Sequence, residues 1–290
     1  MRQASSKGPQ SARKAFEKAL ELAPGSADAH VNLGIALADS NDLPGALARF
    51  EEALLRDPNS ASAHYNRAFV LGRTGRAAEG RANLEAAIKA DPNHAGALVL
   101  LARLEGQSGK FARSGELAAR AAAIEPDNLL ARSLLAQSYD RQGQSAKAIE
   151  EWNKVLGQDP NSADALYNLS RLLRTAEPER ARQYLSRYQA LRQSTQTAEQ
   201  AEMIANTAIG LVQKGDHAGA VRQFEQALQV CGECRSKALI RKQLGLALAR
   251  SGDLAGGKAQ LEQAGKDLPN DPEIVQSLAT IERLKAGRTP

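Results

Sequence analysis

Residues 27–60 read ADAHVNLGIALADSNDLPGALARFEEALLRDPNS, and the fold follows from how this stretch recurs. Pro58 is one of five prolines, Pro24, Pro58, Pro92, Pro126 and Pro160, each 34 residues after the one before. Proline lacks a backbone donor and clashes with the preceding turn, so each marks the end of a helix. Asn41, Gly75, Gly109 and Gly143 form a second series at the same interval. Asn and Gly accept the left-handed conformation that closes a helix, which places them at a turn inside each repeat. Between the two series the apolar residues are spaced helically: Leu33, Gly34 and Leu37 on one helix, then Ala46, Phe50 and Ala53 on the next. Each repeat is therefore a helix, a short turn, a second helix and a proline stop.

Working outward, four repeats stand in strict phase, 27–60, 61–94, 95–128 and 129–162, and a fifth occupies 163–194 with its second helix opening at Pro178. The polar stretch Gln193-Ser194-Thr195-Gln196-Thr197 is read as a hinge or offset between two blocks, 27–194 and 195–271. The second block holds repeats 201–234 and 238–271. Residues 1–26 carry Ala12, Phe16, Ala19 and Pro24, the pattern of a second helix alone. That half-repeat is either a cap or the remainder of a longer chain. Residues 272–290 are expected to be a closing helix, Pro272 to Ala286, and a tail.

The residues Leu33-Gly34, Leu37, Ala46, Phe50, Ala53 and Pro58 resemble the tetratricopeptide repeat pattern of Leu-Gly, an apolar residue, Ala, an aromatic, Ala and Pro. Repeat four shows the same register in Leu135-Ala136, Tyr139, Ala148, Trp152, Val155 and Pro160. Repeat two departs, with Arg67 in place of Leu and Gly80 in place of Ala. The resemblance implies an all-α, right-handed superhelical solenoid of antiparallel helix pairs, and a non-catalytic scaffold or adaptor that holds an extended peptide in its concave groove.

Composition agrees with an all-α solenoid. Hydrophobic residues make up 42% of the 290, yet aromatics only 4%, so the core is built from Ala and Leu. The net charge is +5. That is short of the dense Lys/Arg clusters of phosphate-backbone binders, so an RNA-binding helical repeat is a weak alternative and no nucleic acid is expected. No run of about 18 apolar residues is present, so no membrane insertion is expected. Residues Met1 to Gln10 lack the apolar segment of a secretory signal. The location defaults to the cytoplasm, or lies outside it if an upstream signal has been removed.

On the first helix of each repeat, positions four, seven, eight and eleven share the packed face at about 100° per residue. Positions two, five, six, nine, twelve and thirteen point the other way, which the resemblance makes the concave wall. Position six is Asn32, Asn66, Asn168, Asn206 and Gln243 in five of the repeats, interrupted by Leu100 and Leu134. A carboxamide donates and accepts, so a ladder of them can pair with the backbone of an extended peptide regardless of its side chains. The alternative is local bonding that sets helix packing. The same face carries Arg73, Arg103, Arg141, Arg171, Arg174 and Arg250, with few acids beyond Asp28, Asp39, Asp140, Asp164 and Glu202. The guanidinium fork matches carboxylates, which points to acidic peptide partners; a solvated charged face is the alternative. Family members that clamp a C-terminal carboxylate use a Lys/Asn/Arg set. Of the corresponding Val31, Ile35, Asn66, Gly96 and Leu100 only Asn66 agrees, so that mode is not expected.

The two cysteines form Cys231-Gly-Glu-Cys234 at the end of repeat six. A helix C-terminus disfavours thiolate, zinc would need two further ligands, and no His follows for haem attachment, which leaves a local disulfide or two idle thiols. His30 and His64 occupy the same core-facing position of successive repeats. No catalytic constellation, phosphate loop or paired carboxylates recur, so no enzyme and no cofactor is expected. Self-assembly through the N-terminal half-repeat is the remaining alternative.

Overall fold

The computed structural model describes residues 7–286; positions 1–6 and the tail 287–290 lie outside the described residues. The described residues are all-α. Successive helices are α1 (Lys7–Leu22), α2 (Ala27–Asp39), α3 (Leu43–Arg56), α4 (Ala61–Arg73), α5 (Ala77–Ala90), α6 (Ala95–Gln107), α7 (Phe111–Ile124), α8 (Leu129–Arg141), α9 (Ser145–Gln158) and α10 (Ala163–Leu172). They continue with α11 (Pro178–Gln213), α12 (His217–Cys231), α13 (Lys237–Ser251), α14 (Leu254–Asp267) and α15 (Pro272–Ala286). The chain divides into two compact parts, Met1–Tyr184 and Leu185–Pro290, each described by itself.

The punctuation seen in the sequence is the capping chemistry of the helices. Ser26, Ser60, His94, Asn128 and Ser162 each accept, through the side chain, the backbone N–H three residues on, closing the start of α2, α4, α6, α8 and α10. Asn41, Gly75, Gly109 and Gly143 have φ of 63°, 78°, 76° and 75°, the left-handed turn that reverses the chain. Asp57, Asp91, Glu125 and Asp159, each preceding a proline, are held at ψ of 91°, 97°, 86° and 93°, because proline excludes the helical conformation from its predecessor.

In repeats one, two and four packing sets a small residue against a large one, and in repeat three an alanine against an alanine. Position eight carries Gly34, Ala68, Ala102 and Ala136, and position twenty-four of the same hairpin carries Phe50, Leu84, Ala118 and Trp152. The ring of Phe50 lies so close to Gly34 that a β-carbon there would stand 2.5 Å from Phe50 Cε1. In the second part Ala208 faces Phe224 within one core cluster, and Gly245 faces Leu261. The expected core positions four, seven, eight and eleven are joined by positions three and ten. Ala63, Ala97, Ala131 and Ala165 are fully buried, as are Val70 and Ser138 to within 2%. A first helix is covered by the preceding repeat as well as by its own partner. Repeat two replaces its usual apolar contact with a polar inset: Arg67 Nη1 and His64 Nδ1 both meet Asn83 Oδ1, and Arg67 Nη2 pairs with Glu51.

The polar stretch Gln193–Thr197 is itself helical, and α11 runs through it for 36 residues. Between Pro178 and Gly210 the sequence offers no Gly or Pro to stop it. Thr195 and Thr197 donate their hydroxyls back to the carbonyls of Leu191 and Ser194, both at 3.0 Å, so their polarity is satisfied inside the helix. The later turns of α11 bury Ala198, Ala201, Ala205 and Ala208 against α12 and α13.

His30 is buried at position four, its Nε2 donating to the carbonyl of Pro24 at 3.3 Å. Desolvation lowers its pKa, opposed by that hydrogen bond and reinforced by Arg56 and Arg49. A histidine depressed in the folded state contributes its full stability above the unfolded value of about 6.5 and loses it as pH falls toward the folded value. The melting temperature is therefore expected to drop as pH falls through about 6.5, and His30→Gln should flatten that part of the profile. An equally steep decline in the variant would assign the effect elsewhere.

Candidate functional site

The non-core face of the first helices forms the wall of a groove in the Met1–Tyr184 part. Its volume is about 1070 Å³, and α6, α8 and α10 line it together with the start of α7. Apart from Phe111, Ser114 and Ser138, every lining residue occupies position two, five, six, nine, twelve or thirteen of its repeat. Arg103, Arg141, Arg171 and Asn168 from the expected set are brought together here. A smaller groove of about 260 Å³ lies between α4 and α6 and includes Phe69, Arg73 and Leu100; Arg103 and Gln107 line both.

The arginines are not equivalent. Arg73 braces the preceding repeat, donating to Ala38 O at 3.2 Å and to Asn41 Oδ1 at 3.0 Å. Arg141 lies over the ring of Phe111, 5.8 Å from its centroid. Arg171 is paired with Asp140. Arg103 has no ion-pair partner among the described residues and is exposed. Arg174 is exposed beyond the end of α10 and does not line the groove.

The carboxamides are also divided. Asn66 and Asn168 each donate one Nδ2 hydrogen to a carbonyl four residues back on their own helix, Ser62 O and Asp164 O, both at 2.8 Å. That bond fixes the side-chain plane; Asn168 keeps its second Nδ2 hydrogen and Oδ1 for another partner, whereas Asn66 Nδ2 also reaches Ser62 Oγ at 3.3 Å and keeps Oδ1. Asn32 is exposed on α2. Asn206 and Gln243 lie in the Leu185–Pro290 part, Asn206 on a shallow surface with Glu199, Glu202, Met203 and Thr207. They are not among the residues lining the larger groove.

Three apolar side chains in these grooves escaped the sequence reading. Phe69, Leu130 and Tyr167 are 45%, 48% and 47% exposed, at positions nine, two and five. A large apolar residue on a face whose other members are polar was the signal available. Elsewhere, Cys231 and Cys234 are joined by a disulfide with an S–S distance of 2.08 Å, buried in the core of α11, α12 and α13. Among the described residues no cluster of three or more His, Cys, Asp or Glu could hold a metal ion, and no helix is long and apolar enough to cross a membrane.

Family models described as tetratricopeptide repeat match residues 5–68, 65–128 and 133–195, well over half of the chain. No curated protein matches it. Among solved structures the chain is similar to YrrB, a TPR protein with an unusual peptide-binding site, at 25% identity and a TM-score of 0.57, covering 62% of this chain and 93% of that one. MamA from Desulfovibrio magneticus RS-1 is similar at 20% identity and a TM-score of 0.52, covering 58% and 96%, and supports the fold alone.

Proposed function

The chain belongs to the tetratricopeptide repeat family, whose repeats serve as protein-interaction scaffolds, and from that premise we propose that it is a non-catalytic adaptor holding an extended, acidic peptide segment along α4, α6, α8 and α10. The observation that carries this reading is Arg103, an unpaired cation common to both grooves. Arg141 and Arg171 stand on the same wall, and Phe69, Leu130 and Tyr167 offer apolar footholds between them. Carboxylates on the peptide meet the guanidinium forks, while the Oδ1 atoms of Asn66 and Asn168 and the second Nδ2 hydrogen of Asn168 pair with its backbone. Asn32 holds the equivalent position in repeat one, and Asn206 and Gln243 hold it within the Leu185–Pro290 part. YrrB supplies a precedent for peptide binding on this architecture.

The test is fluorescence anisotropy with a labelled peptide that alternates Glu and Leu. Arg103→Ala is expected to weaken binding about tenfold, the worth of about 1.4 kcal/mol for a charge-assisted bond, and binding should weaken as salt is raised. Unchanged affinity in the variant would rule out the groove as the acidic-peptide site.

A further inference from the structure

Asp140 is the only carboxylate among the described residues lining the larger groove, and it is spent on a residue of that same groove. It sits at position twelve of repeat four, near the end of α8, and pairs with Arg171 at position nine of repeat five, on α10. The Asp140 side chain is 19% exposed and that of Arg171 is 43%, so the carboxylate is set into the wall while the guanidinium stays open to a ligand. Arg103 and Arg141 have no such counter-ion among the described residues.

We infer that Asp140 is a built-in competitor that occupies Arg171 in the empty groove and sets the threshold for acidic ligands, an inference that rests on the reading of the groove as an acidic-peptide site. A ligand carboxylate reaching Arg171 exchanges one ion pair for another, so it gains little there. It also stands close to the negative charge of Asp140. A segment with one acidic residue is held by Arg103 or Arg141, which have no internal carboxylate to displace. A segment with several, correctly spaced, can in addition displace the internal pair. The groove thereby discriminates by acid density, through an unfavourable element placed beside the favourable ones.

The experiment uses the full chain and the labelled Glu/Leu peptide, with the same peptide carrying Lys in place of Glu as control. Asp140→Asn keeps the shape and removes the charge. It is expected to tighten binding of the acidic peptide about two- to fivefold at low salt, the scale of a partly exposed ion pair. The gain should disappear when salt is raised, and the Lys peptide should remain unbound. Arg171→Gln is expected to abolish the gain in the Asp140→Asn background, because the gain requires the freed guanidinium of Arg171. That non-additive pattern is one a purely structural brace would not produce. Asp140→Ser serves as a second variant, with circular dichroism reporting that each is folded. Unchanged or weaker binding by both Asp140 variants, or effects of Asp140 and Arg171 that simply add, would overturn the competitor role while leaving the groove itself in place. Binding insensitive to Arg103→Ala would remove the groove reading instead, and binding by no variant would remove both.

Discussion

Trp152→Ala is expected to destabilise the chain by about 3–5 kcal/mol, the range for emptying a fully buried aromatic site. Trp152 on α9 has no exposed surface and packs with Ala136, Val155, Leu169, Leu173 and Ala181, joining α8, α10 and the first turn of α11. Its indole N–H has no hydrogen-bond partner among the described residues, so the whole loss is packing. Repeat three already has Ala118 at the equivalent position, fully buried, but there the preceding residue is the buried Leu117. In repeat four the preceding residue is Glu151, tied to Arg132 and Lys154, and it cannot move inward to fill the space. Repeats stabilise one another only through neighbours, so α8 to α10 should loosen before the rest of their part of the chain. Trp152 is the only tryptophan. Denaturant unfolding should therefore be followed by circular dichroism, and a loss below about 1 kcal/mol would show that the site collapses without a cavity.

The second large effect is expected in the Leu185–Pro290 part, where α13 and α14 meet backbone to backbone. A β-carbon on Gly257 would stand 2.9 Å from Gly245 O and 3.1 Å from Ala249 N, and one on Gly245 would stand 3.0 Å from Gly257 O. Main-chain atoms cannot swing aside as a side-chain tip can. Gly257→Val should cost about 1–3 kcal/mol despite removing a poor helix former. Gly210, on α11, has nothing within 4 Å of its added β-carbon, so Gly210→Ala should stabilise by about 0.5–1 kcal/mol. Melting temperatures that move in opposite directions for the two variants are the expected result; a shared direction would mean that propensity, rather than close approach, governs both.

The hairpins were legible in the sequence because their determinants are local. Proline, the left-handed turn residue and the N-cap each act within four residues, and each repeats every 34. The wall of the groove was legible for the same reason, since position on a helix decides which way a side chain faces. What those side chains do to one another was not. Arg73 reaches Asn41 and Arg171 reaches Asp140 across 32 and 31 residues, and nothing in either local sequence distinguishes these arginines from Arg103. The continuity of α11 was hidden for a different reason. Gln193–Thr197 has the composition of a loop, but composition weighs less than the absence of a residue that would stop the helix.

The pairing of small against large has an evolutionary edge. Positions eight and twenty-four belong to the two helices of one hairpin, so Gly34 with Phe50, Ala136 with Trp152 and Gly245 with Leu261 are matched within a repeat rather than across repeats. A gene duplication or crossover that moves a whole hairpin carries both members of the match. One that breaks inside a hairpin would separate the two members, for example leaving Gly34 opposite an alanine such as Ala118, a hole where the Phe50 ring had been. The heritable building block of this chain is thus the hairpin, and recombination endpoints that persist should fall in the proline-bearing connections between hairpins rather than in the left-handed turns within them.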